Sequence, residues 1–118
     1  MSYWNANNDG NDFAFGSIGA NIYLIKERLF KEMNLVNEKL HPEQSIICQL
    51  TMLRVIGEQF PESLNIHFDQ NDFNEVKKSF YSWYESGAKI PVKYRTDILL
   101  NAEKEFELFE STIIKDNN

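Results

Sequence analysis

The sequence predicts an all-α protein of about four helices packed in one bundle-like domain, with one short extended segment near residues 63–68. Three observations predict it. Apolar residues recur at helical spacing over four stretches. The proline, glycine and capping signals fall between those stretches. Only one stretch alternates with the period of a strand. At 118 residues the chain forms a single domain, 1–118, with residues 1–10 as a polar lead-in.

The lead-in is rich in Asn and also carries Tyr3 and Trp4, two rings too apolar for a mere tail, so they are expected to dock back onto the fold. The first helix starts at Asn11 or Asp12, either of which can cap free backbone N–H groups. Phe15, Ile18, Ile22, Ile25, Leu29 and Met33 then mark one face. Gly16 and Gly19 each weaken the helix by roughly 1 kcal/mol relative to Ala. With Ser17 and Ala20 they make a low surface that another backbone can approach closely.

His41-Pro42-Glu43 opens the second helix, with Pro42 at the first helical position. From Ile46 to Phe60 apolar residues, Cys48 among them, wrap most of the circumference, which predicts a central helix buried on several sides. Pro61 ends it. Ser63 to Phe68 alternates polar and apolar and is read as an extended connector over the helices. Asp69, Asn71 and Asp72 offer caps for a third helix with Phe73, Val76, Phe80 and Trp83 or Tyr84 buried, and Gly87 as its stop. Ile90-Pro91 opens the last helix, whose face is Leu99, Ala102, Phe106, Phe109 and Ile113, with Ile98 alongside.

The net charge is −6 and the pI about 4.9, which argues against a nucleic-acid binder working by phosphate neutralisation. Apolar runs are too short for a membrane span, and no signal-peptide pattern opens the chain. The single cysteine, Cys48, fits a reducing cytoplasm and forbids an internal disulfide. It is expected to act as a small buried hydrophobe. His41 and His67 lack zinc-ligand spacing and read as ordinary surface histidines. Gly16-Ser17-Ile18-Gly19 lacks the Gly-Lys-Ser/Thr ending of a phosphate loop, so no cofactor is implied. No catalytic constellation emerges, and the chain is read as a non-enzyme.

Acidity is uneven. Asp69, Asp72 and Glu75 cluster at the start of the third helix. Glu103, Glu107 and Glu110 line one face of the last, whose start carries Lys89, Lys93 and Arg95 instead. Such runs are ordinarily solvated faces; the functional reading is a negative surface that steers a basic partner. Phe80-Tyr81-Ser82-Trp83-Tyr84 cannot turn every ring inward. Tyr81 and Tyr84 therefore join the acidic residues as candidate contacts.

Trp4, the run Asn11-Asp12-Phe13-Ala14-Phe15 and Pro61-Glu62-Ser63-Leu64 after an apolar helix are similar to the same features in a helical bacterial family of uncharacterised function. In size, acidity and cysteine usage the chain also resembles the small acidic helical immunity proteins that bacteria raise against toxins, of the contact-dependent inhibition type. That resemblance implies a cytoplasmic protein that neutralises a cognate basic toxin, a nuclease above all, without catalysis. It assigns no residues. The competing expectation is a structural or regulatory module that forms a homodimer through the Gly16/Gly19 surface or the extended segment.

Overall fold

The computed structural model describes residues 12–35, 43–86 and 90–111. They form five helices and no strand: α1 (Asp12–Leu35), α2 (Glu43–Gln59), α3 (Pro61–His67), α4 (Gln70–Glu85) and α5 (Val92–Phe109). The all-α class expected from the sequence holds. Tyr3, Trp4, His41, Pro42, Gly87, Lys89 and Ile113 lie outside the described residues.

α1 buries the face its spacing predicts. Ile22 and Leu29 are fully enclosed, with Ile18, Ile25 and Met33 packed at the edge of the core. α2 touches every other helix, as expected of a central element. It does so with a narrower face than its composition suggests. Ile46, Leu50 and Leu53 are fully buried, but Met52 and Val55 are exposed and so is Cys48. Apolar side chains all round a helix do not guarantee burial all round, because a folded surface always retains apolar atoms. Cys48 is thus a surface thiol and not part of the core.

Residues 63–68 correct the expectation of an extended connector. Pro61 both closes α2 and opens α3 at the position where its missing N–H costs nothing. Only Phe60 separates the two helices. The ladder continues into the chain after α3, with the Phe68 amide donating to the Leu64 carbonyl at 2.8 Å. Leu64 and Phe68 are both fully buried while Ile66 between them is 65% exposed. The same residues satisfy a period of two and an i, i+4 spacing, and over six positions the two patterns coincide.

α4 begins in a reciprocal capping box. The Asp72 amide donates to Asp69 at 2.9 Å and the Asp69 amide donates back to Asp72 at 3.0 Å. Phe73, Val76, Phe80 and Trp83 are its buried face. Rings bridge α4 to α5: Phe73 stacks on Phe109 at 5.1 Å and meets Phe106 edge-on at 6.1 Å, and Phe80 meets Phe106 at 5.7 Å. Phe68, following α3, closes the cluster against Phe109 at 5.4 Å. Each fully buried Phe or Leu contributes roughly 1.5–3 kcal/mol, so this aromatic layer is the main attachment of α5 on its α4 side.

Candidate partner-binding surfaces

The last helix lies along α4, and its predicted acidic stripe borders the seam between them. The Tyr81 hydroxyl donates to Glu103 at 3.3 Å, and Lys77 reaches Glu110 at 3.1 Å. Glu107, between those two glutamates on the same stripe, is exposed. Tyr81 is half-buried against Phe80 and Phe106, with centroids 5.6 and 5.9 Å away. Burial raises its phenol above the ordinary value, and the charges of Glu103 and Glu85 and the Glu103 hydrogen bond push the same way. A tyrosine ring therefore sits amid two carboxylates, with a third close along the stripe.

The other predicted contacts have different surroundings. Asp69 and Asp72 are occupied by the capping box, and Asp72 also pairs with Lys26 of α1 at 3.0 Å. The same ammonium donates to the His67 carbonyl at 2.8 Å, so Lys26 joins α1 to the end of α3 and the start of α4. Glu75 is exposed on α4 away from the seam: residues 77 and 81 face α5, and 75 lies more than a quarter-turn from both. Tyr84 turns to the start of α5, where its hydroxyl donates to the Arg95 carbonyl at 3.2 Å. The Arg95 guanidinium lies 4.2 Å from the Tyr84 ring centroid and donates to the Tyr84 carbonyl at 2.9 Å. The structure thus brings Tyr81 to Glu103, pairs Glu110 with Lys77 on the same seam, and leaves Asp69, Asp72, Glu75 and Tyr84 in other surroundings.

One buried ionic group escaped the sequence reading. Glu105, 6% exposed, lies on the α2 side of α5. It accepts from Arg54 Nε at 2.6 Å and Nη2 at 3.2 Å, and from the Thr51 hydroxyl at 2.7 Å. Arg54 also donates to Glu58 at 2.7 Å. The Glu105 hydrogen bond is the main cause raising the Arg54 guanidinium further above its ordinary value, against the opposing effect of burial. The group ties α2 to α5 and is satisfied on every side, so it is a structural clasp.

A second surface lies between α1 and α3. It is a groove of about 590 Å³ lined by Phe15, Gly16, Gly19, Ala20, Tyr23 and Leu24 of α1 and by Ile66 and His67 of α3. Tyr23, Leu24 and Ile66 are 54%, 60% and 65% exposed. His67 is half-buried, and its ring lies against Gly19 closely enough that a Cβ there would stand 2.9 Å from Nε2. The neighbour that comes close at Gly19 is therefore an imidazole side chain and not the backbone expected from the sequence. Above Gly16 there is nothing within 4 Å of a Cβ position.

No helix among the described residues is long and apolar enough to cross a membrane. The chain matches no family model, no curated protein and no solved structure.

Proposed function

We propose that this chain is a non-catalytic protein-binding module, an immunity protein that neutralises a basic bacterial toxin, most naturally a nuclease, by covering it with the α4–α5 seam. The observation that carries the reading is Tyr81, a half-buried ring bordered by Glu103 and Glu85, with Glu107 exposed beside it. An aromatic anchor inside a charged rim suits a partner whose own surface must be basic to hold phosphates. Carboxylates on the rim speed encounter, and the ring supplies area at the centre.

The reading also selects among the acidic residues. Asp69 and Asp72 hold the start of α4, so they support the fold; Glu103 and Glu107 remain for a partner. The test is co-expression with the toxic domain encoded beside this chain, scored by survival. Rescue by the wild-type chain, lost on E103K/E107K and retained on the equally charge-reversed E27K/E62K at exposed positions of α1 and α3, is the expected result. Equal rescue by both variants would remove the seam from the interface, and no rescue by the wild type would remove the reading.

A further inference from the structure

The groove between α1 and α3 has walls that are almost wholly apolar and three exposed large side chains, Tyr23, Leu24 and Ile66. Its floor is made of Gly16, Gly19 and Ala20, and the space above Gly16 is open. The His67 imidazole covers Gly19, so a flat ring fits over Gly16, where nothing projects. We infer that this groove is the docking site of the chain's own N-terminal segment, with Trp4 and Tyr3 as the groups that fill it.

Four observations select this occupant. Phe15 and Gly16, in the first turns of α1, line the groove, so the chain that leads into the helix arrives at its mouth. The segment 1–11 is Asn-rich and polar apart from Met1, Ala6 and the Tyr3-Trp4 pair, so two large rings are all it has to bury. Its reach is sufficient. Trp4 lies eight positions before Asp12, a span of up to roughly 27 Å when extended. The groove follows α1 from Phe15 to Leu24, a rise of roughly 14 Å. Asp9-Gly10 supplies the turn chemistry needed to send the segment back along the helix it precedes.

A tether also decides between this segment and a second copy. Short flexible links give effective concentrations in the millimolar range, far above those at which a separate molecule is met. The groove includes no residue of the α4–α5 seam, so its occupant is independent of the reading of that seam.

Tryptophan fluorescence tests it. The chain has two tryptophans, and Trp83 is buried, so subtracting the emission of W4F from that of the wild type isolates Trp4 without disturbing the core. Docking predicts acrylamide quenching of Trp4 several-fold weaker than in a peptide of residues 1–11. L24E/I66E, and separately G16L, each made with and without W4F, should restore quenching to the peptide's level. G16L occupies open space, so it keeps the helix while filling the groove; far-UV circular dichroism confirms the fold in each case. Peptide-like quenching in the wild type overturns the inference, as does shielding that survives both groove variants. Shielding that appears only with a concentration-dependent dimer in sedimentation velocity gives the groove to a second copy and overturns it too.

Discussion

Truncating Glu105 to Ala leaves the Arg54 guanidinium with one of its two carboxylates and the Thr51 hydroxyl with no acceptor on α5. Breaking one half of a buried pair costs about 3–5 kcal/mol, and the lower end applies here because the Arg54 side chain is still 17% exposed. Urea denaturation of E105A should show a loss of about 3 kcal/mol. The double replacement R54M/E105L should recover most of it, since apolar residues of similar volume can replace such a pair. Tyr81 gives a second prediction. Its pKa is raised above the 10.0 of an unperturbed tyrosine, mainly by burial, with Glu103 and Glu85 adding to it. A folded-state pKa above the unfolded value means a stability contribution present in full below pH 10 and lost as pH rises through the folded pKa. A tyrosinate titration followed in the ultraviolet should therefore lose its late-ionising component in Y81F, and E103Q should bring that component earlier. The clasp was illegible in the sequence for a simple reason. Glu105 stands among the surface glutamates of α5, and its partner is 51 positions away in the chain. A lone Arg54 in the middle of an apolar helix was the one available signal, and it names no partner.

Among elements, α1 carries two glycines with opposite expected responses. G16A adds a methyl group in open space and should stabilise the protein by up to roughly 1 kcal/mol, the propensity difference between Gly and Ala. G19A has the same propensity gain but drives a Cβ to 2.9 Å from the His67 ring, so the imidazole must move. It should be less stable than G16A, and H67A should narrow the gap in a double-mutant cycle followed by thermal unfolding. At the start of α4, D69A removes the side chain that accepts from the Asp72 amide and should cost about 1 kcal/mol. The cap, the buried face of α4 and the spacing on α1 were all legible, because each is written in residues a few positions apart. α3 was not. Seven residues are too few for one period to separate from the other, and what decides is that Leu64 and Phe68 find the same core.

Over the whole molecule, the acidic excess has its consequence in kinetics. If the seam meets a basic partner, E103K/E107K should lower the association rate by roughly tenfold or more at low ionic strength and flatten its dependence on salt, with a smaller change in dissociation. Stopped-flow or surface-based association at two salt concentrations measures this, and a salt-independent wild-type rate would oppose the steering argument. The glutamate stripe and Tyr81 were legible as separate candidates. The sequence could not show that they meet, because that depends on α5 lying along α4, and helical periodicity fixes which face is buried but not against which neighbour. The same limit hid the ion pair between Asp72 and Lys26 of α1, although the capping role of Asp69 and Asp72 was legible.

Cys48, the chain's one thiol, stands on the outer side of α2 and is open to solvent. Stored without reductant, two molecules can join there through air oxidation, giving a covalent pair of twice the mass that has nothing to do with either the groove or the seam. Any measurement of mass in solution must accordingly be run reduced, or on C48S. The same position also accepts one maleimide dye per molecule, at a site that neither the groove nor the seam includes, so association can be followed optically without altering either surface.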